Sequence, residues 1–218
     1  MGAVGALETD VVCQVKAIFE SRCAELLQQA CLALKTQKHI DIDWGEENIT
    51  ANLYVFIHNS QQAIDYDIHP ETEHPFFSKE VLDNKKKAKS AQRIDLVFQY
   101  NWSGKRFSFY VEAKNLIEID SRKTGRKTLT KASAVIKRYV ETGIDHYLSG
   151  YYPCGCMLGY VLNGTIPGIV ASINAKLRNE GRHGEDLTMV KSSIPWAEYR
   201  SNHISKGMQI THYLFEFN

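Results

Sequence analysis

Two segments in the middle of the chain constrain its fold more than any other feature. Ile94-Asp95-Leu96-Val97-Phe98-Gln99-Tyr100 and Phe107-Ser108-Phe109-Tyr110-Val111-Glu112-Ala113 are rich in β-branched and aromatic residues, and a short polar stretch with Ser103-Gly104 separates them. This is the pattern of a β-hairpin. If Asn101 pairs with Arg106 across a four-residue loop, cross-strand partners sum to 207, and Asp95 falls opposite Glu112. That register puts Ile94, Leu96, Phe98, Tyr100, Phe107, Phe109, Val111 and Ala113 on one apolar face. Asp95, Val97, Gln99, Ser108, Tyr110, Glu112 and Lys114 share the other. Two carboxylates and a lysine therefore converge on one patch of sheet.

Like charges opposite one another destabilise a sheet unless something neutralises them. An unpartnered carboxylate inside an apolar strand is costly as well. A divalent cation satisfies both conditions, because Mg²⁺ takes hard oxygen ligands, keeps several waters and needs only one or two carboxylates from the protein. Lys114 on the same face can position or activate an attacking water, or stabilise charge developing on a phosphate. The set Asp95, Glu112 and Lys114 fits metal-assisted hydrolysis of a phosphodiester.

The rest of the chain reads as mixed α/β. Val11, Val15, Ile18, Phe19, Leu26, Leu27, Ala30 and Leu34 recur near a 3.6-residue period and predict a long amphipathic helix. A second helix is expected from Gly45 to His58, capped by Asp43, with Glu46 near its buried face and Glu47 turned towards solvent. Ala63 to Ile68 reads as a strand, and residues 70–91, with two prolines and a lysine run, as an irregular or partly helical excursion. After a basic loop from Asn115 to Lys127, a helix is expected from Thr128 to Glu141, ended by Gly143. Met157 to Leu162 and Gln209 to Phe217 read as strands and Ile169 to Leu177 as a helix. Residues 1–40 form an N-terminal helical element, and 41–218 the main domain.

Ile94-Asp95, a hairpin and Val111-Glu112-Ala113-Lys114 resemble the core motif of the PD-(D/E)XK phosphodiesterase superfamily, the restriction-endonuclease-like nucleases. The proline of the motif's name is absent, since Arg93-Ile94 stands before Asp95. The resemblance implies a mixed sheet of four or more strands flanked by helices. It also implies Mg²⁺ or Mn²⁺ held by Asp95, Glu112 and the backbone carbonyl of Ala113, with Lys114 beside the attacking water. The family's glutamate from the helix before the sheet corresponds to Glu46. Its basic or polar residue and tyrosine on the following helix correspond to Lys137, Arg138 and Tyr139. A DNA substrate and a setting in bacterial restriction or anti-phage defence are implied in the same way. An RNA substrate stays open, as does a non-catalytic or partner-activated subunit that binds nucleic acid.

Charge and composition bear on partners and compartment. With 44% hydrophobic and 23% charged residues the chain is globular, not disordered or fibrous. Net charge is +1 overall, but residues 1–77 carry 4 basic and 12 acidic side chains, residues 78–138 carry 16 and 6, and residues 139–218 carry 6 and 7. The positive middle contains Lys85, Lys86, Lys87, Lys89 and Arg93, then Arg122-Lys123, Arg126-Lys127, Lys131 and Lys137-Arg138, all candidate phosphate contacts. Five cysteines without framework spacing point to a reducing compartment, and no stretch approaches a membrane span. The expected location is the cytoplasm. Amphipathicity of the first helix leaves a homodimer and internal packing equally open, and a separate sensor or motor protein is a further expected partner. Cys154-Gly155-Cys156 lacks the second cluster that a zinc site needs.

Overall fold

The computed structural model describes residues 9–76, 83, 87, 92–152 and 155–218. Helices α1 (Thr9–Gln37), α2 (Glu46–His58) and α3 (Gln61–Asp65) come first, then strands β1 (His69–Phe76), β2 (Gln92–Trp102) and β3 (Lys105–Ile117). A two-stranded ribbon follows, β4 (Ser121–Arg122) with β5 (Leu129–Thr130). Next are α4 (Ala132–Arg138), a π-helical segment (Tyr139–Ile144), α5 (Asp145–Leu148), β6 (Gly155–Asn163) and α6 (Ile166–Asn179). The chain closes with β7 (Thr188–Ser193), β8 (Trp196–His203) and β9 (Met208–Glu216). The main sheet has seven strands in the order β1-β2-β3-β6-β9-β8-β7, with β3, β6 and β9 parallel and the remaining pairs antiparallel. This is the expected mixed α/β sheet flanked by helices.

A parallel centre has to be covered on both faces. In β6, Cys156, Leu158, Tyr160 and Leu162 pack into one core layer, and Met157 and Val161 into the other. The first layer is closed by α1 and α2 through Phe19, Leu26, Leu27, Leu34, Ile49, Leu53 and Ile57. The second is closed by the α4–π–α5 segment and α6, through Ile136, Val140, Ile144, Ile169, Ile173 and Leu177. No helix among the described residues is long and apolar enough to cross a membrane.

The hairpin closes with the register expected from its sequence, from Trp102↔Lys105 and Asn101↔Arg106 to Leu96↔Val111. Its turn is tighter than a four-residue loop, because Ser103 (φ 48°) and Gly104 (φ 75°) both take the left-handed conformation of a two-residue type I′ turn. The ladder stops after Leu96↔Val111, so the expected cross-strand pair of Asp95 with Glu112 is not formed. Beyond that point alternation fails, so Ile94 packs in the second layer beside Val97 and not with Leu96 and Phe98.

Other expectations are corrected. Residues 63–68 are not a strand: the Ser60 hydroxyl accepts the Ala63 N–H and opens the short helix α3. Residues 70–76 belong to β1, where Pro70 and Pro75 are tolerated because the strand lies at the sheet edge. Asp43 does not cap α2, whose N-cap is Gly45. The Asp43 carboxylate instead accepts the Thr124 N–H at 2.6 Å. Gly143 does not end a helix. It lies buried in the π segment, where an added Cβ would collide with the Met157 side chain.

Strands β7 and β8 went unforeseen. Alternate residues of β8, Ser201 and His203, belong to a fully buried polar chain with His212. Burial pushes the Tyr139 phenol up, so its hydroxyl is a donor, and it meets His212 Nδ1 at 2.8 Å. His212 Nε2 meets Ser201 Oγ at 2.8 Å, Ser201 Oγ meets His203 Nε2 at 2.8 Å, and His203 Nδ1 meets Glu185 at 2.7 Å. One proton arrangement satisfies every link: Tyr139 donates to His212, His212 to Ser201, Ser201 to His203, and His203 to Glu185, with both imidazoles neutral.

Burial, helped by His203, lowers the His212 pKa to about 3, and burial lowers that of His203. The unfolded chain therefore binds protons at these histidines before the folded one does. Their contribution to stability is complete above the ordinary histidine pKa of about 6.5 and is lost as pH falls towards 3, by up to about 1.4 kcal/mol per pH unit for His212. Imidazole ¹⁵N shifts should report a neutral His212 ring at pH 5, and a charged ring there would refute the arrangement.

Candidate functional site

The point where β2 and β3 part is also where the charged groups gather. Having lost its ladder partner, the Ala113 N–H donates to Asp95 Oδ2 at 2.7 Å. Strand separation thus turns a carboxylate into a local substitute for a backbone carbonyl. Glu112 and Lys114, two residues apart on β3, are both buried on this rim, with 6% exposure each. Lys114 Nζ donates to Glu112 Oε1 at 2.5 Å and to the Ala113 carbonyl at 2.9 Å.

Helix α2 contributes Glu46, its first residue. Glu46 Oε2 accepts the Asn115 N–H at 2.9 Å, while Oε1 lies 3.6 Å from Lys114 Nζ and 3.8 Å from Arg138. Glu47 is exposed. The Asn115 side chain donates to the Trp44 carbonyl at 3.0 Å, which ties the start of α2 to β3. Its Oδ1 is buried without a hydrogen-bond partner among the described residues.

The electrostatics are unbalanced, with Asp95, Glu112 and Glu46 set against Lys114 and Arg138. Burial, then the neighbouring Glu112, raises the Asp95 pKa to about 7. Burial alone would lower the Lys114 pKa, but Glu112, Glu46 and Asp95 more than offset it and raise it above the ordinary lysine value. Lys114 is therefore a firmly held ammonium, suited to placing a water or countering phosphate charge and unsuited to removing a proton.

The remaining expected residues divide clearly. Arg138 reaches Glu46, but Lys137 pairs with Glu141 at 3.7 Å. Tyr139 does not face the cleft. It continues the buried stripe of Ile136, Val140 and Gly143 and is wholly enclosed, so it cannot touch nucleic acid. Arg93 is exposed and pairs with Glu73 at 3.0 Å, and Lys87 is exposed. Lys85, Lys86, Lys89 and Cys154 lie outside the described residues.

Tyr152 is a site residue that the sequence did not signal. Its hydroxyl donates to Glu112 Oε2 at 3.2 Å, and its ring stacks on Tyr110 at 6.4 Å between centroids. Forty residues separate Tyr152 from Glu112, and parallel pairing of β6 with β3 brings them together. Beside the cluster is a cleft of about 350 Å³ lined by Glu46, Glu47, Asn48, Asn115, Lys123 and Arg138. A larger cleft of about 500 Å³ lies between α1 and strands β8 and β9, away from these carboxylates.

Among the described residues no group of three or more His, Cys, Asp or Glu side chains could hold a metal ion. The donors at the rim are two carboxylates, Asp95 and Glu112, and the Ala113 carbonyl. These hard oxygens suit Mg²⁺, which supplies the rest of its shell as water. An Asp95 carboxyl held up to about 7 by burial and by Glu112 marks a place short of positive charge, so the residues fit such an ion. No family model matches the chain, and no curated protein or solved structure is significantly similar to it.

The raised Asp95 pKa has a definite sign. Between pH 4 and 7 the folded state holds a proton that the unfolded state has released, so this group's contribution to stability is largest in acid and is lost as pH rises through about 7. Asp95→Asn keeps an acceptor for the Ala113 N–H and removes the charge. In EDTA the variant should melt at a higher temperature than the native protein at pH 8, with the gap narrowing at pH 5. A lower melting temperature at pH 8 would contradict the assignment.

Proposed function

We propose that the chain is a metal-dependent nuclease of the PD-(D/E)XK type that hydrolyses phosphodiester bonds in DNA, in bacterial restriction or anti-phage defence. The observation that carries this reading is the meeting of Asp95, Glu112, Lys114 and the Ala113 carbonyl where β2 and β3 separate, with Glu46 reaching in from α2. A serine or cysteine nucleophile finds no comparable support. Ser201 is fully buried and engaged by two histidines.

Asp95, Glu112 and the Ala113 carbonyl would hold Mg²⁺ or Mn²⁺. Bound there, such an ion would neutralise the two carboxylates, polarise the scissile phosphate and acidify a water. The chain's own groups do the positioning. The Ala113 N–H orients Asp95, and the Tyr152 hydroxyl orients Glu112. Lys114 presents an ammonium to the attacking water and to charge building on the phosphate. Glu46 holds Lys114 and Arg138 towards the same space, and Arg138, 65% exposed, meets an incoming phosphate first.

The test is incubation of the purified protein with labelled duplex DNA, single-stranded DNA and RNA, each with Mg²⁺, Mn²⁺ or EDTA. Metal-dependent cutting is expected, reduced by about a hundredfold or more in Glu112→Gln and in Lys114→Met. Cutting that survives both substitutions would overturn the site. Binding without cutting under every metal would favour a non-catalytic or partner-activated subunit, and cutting of RNA alone would replace the substrate.

A further inference from the structure

The β4–β5 ribbon leaves the sheet immediately beyond the Glu-x-Lys strand, and its charge is all of one sign. From Ser121 to Lys131 it carries Arg122, Lys123, Arg126, Lys127 and Lys131 and no acidic residue. Among the described residues the side chains of Arg122, Arg126, Lys127 and Lys131 form no ion pair or hydrogen bond, and all four are exposed. Elsewhere Lys16, Arg93, Lys137, Arg138, Arg178 and Arg200 each have a carboxylate partner, and of the exposed cations that lack one among the described residues, Lys38, Lys105, Arg106, Lys191 and Lys206, no more than two stand together in the sequence. Four unpaired cations in so short a segment repel one another, a cost that a polyanion would remove.

Polar side chains at its root and from the loop before α2 hold it in place. The Asn163 Oδ1 accepts the N–H groups of Glu118 and Ile119 at 2.8 and 3.1 Å, and its Nδ2 donates to Ser121 Oγ at 2.6 Å. Asp120 accepts the Ala132 N–H at 2.8 Å, and Asp43 accepts the Thr124 N–H at 2.6 Å. The ribbon is thus fixed at its base and at Thr124, with Gly125, Arg126 and Lys127 exposed beyond. Lys123 lines the cleft that Glu46, Glu47 and Arg138 also line, so the cations of the ribbon lead to the cleft beside the site.

We propose that this ribbon is an arm that grips the phosphates of duplex DNA next to the cleft. The inference rests on the nuclease reading for what is done to the DNA, and on the ribbon alone for how the DNA is held. Single-strand binders combine cations with aromatic platforms for unstacked bases, and residues 118–131 contain no Phe, Trp or Tyr. A two-stranded ribbon fits the major groove of B-form DNA, whereas the deep, narrow major groove of duplex RNA excludes it.

The test compares Glu112→Gln with the same protein carrying Arg126→Ala and Lys127→Ala, in EDTA, by fluorescence anisotropy over a salt series. The probes are a short DNA duplex, one of its strands and the corresponding RNA duplex. Removing two phosphate contacts is expected to weaken DNA duplex binding about tenfold and to reduce the slope of log K against log salt by about 2, with little change on the single strand. Unchanged duplex affinity and slope would overturn the arm, as would an equal loss on the single strand or RNA duplex, or failure of the parent protein to bind the DNA duplex. The two readings fail separately. Loss of the arm effect with metal-dependent cutting intact would leave the nuclease standing, and an intact arm effect in a protein that never cuts would support the arm alone.

Discussion

Lys114 places an ammonium among Glu112, Glu46 and Asp95 at the buried rim of the sheet, and much of the architecture serves to keep these charges together. None of the three carboxylates could stay there alone at low cost, because a buried charge without a partner is expensive. Each is also tied by a second contact: Asp95 to the Ala113 N–H, Glu46 to the Asn115 N–H, and Glu112 to the Tyr152 hydroxyl. These contacts come from β2, β3, the start of α2 and the segment before β6. An error in the register of any one of them would leave a charge uncompensated.

The sheet gives that cluster a rigid floor. β3 and β6 are parallel and covered on both faces, so the strand bearing Glu112 and Lys114 is clamped between two core layers. At the second layer, the chain from Tyr139 through His212, Ser201 and His203 to Glu185 joins the π segment to strands β8 and β9 by directional bonds. Apolar packing would tolerate sliding of those elements. A chain of donors and acceptors with one consistent proton arrangement does not.

Charge follows the same division. The acidic N-terminal segment supplies α1 and α2, which cover the first layer, while Lys114, Lys123 and Arg138 of the basic middle segment stand around the rim and Arg122, Arg126, Lys127 and Lys131 along the ribbon. The separation is visible by counting along the chain. The position of the ribbon beside Glu46 and Arg138 depends on Asp43 and Asn163, residues distant in sequence that hold its turn and the approach to its first strand.

Local pattern alone was sufficient for the hairpin, its register as far as Leu96↔Val111 and the helices that carry the strongest apolar periodicity, because side-chain alternation and turn chemistry act over a few residues, whereas Asp95 and Glu112 meet around Lys114 without the ladder pair that alternation predicts. It failed for β1, whose two prolines read as irregular, and for β7, which is exposed along its whole length; edge strands lack the buried face that makes a strand legible. It also misplaced Tyr139 and missed Tyr152. The tertiary structure decided which face of the helix after the ribbon is buried, that β2 leaves the ladder at Asp95, and that a tyrosine before β6 reaches Glu112. Those outcomes depend on which strands become neighbours, and parallel pairing of β3 with β6 joins segments whose proximity no local periodicity encodes.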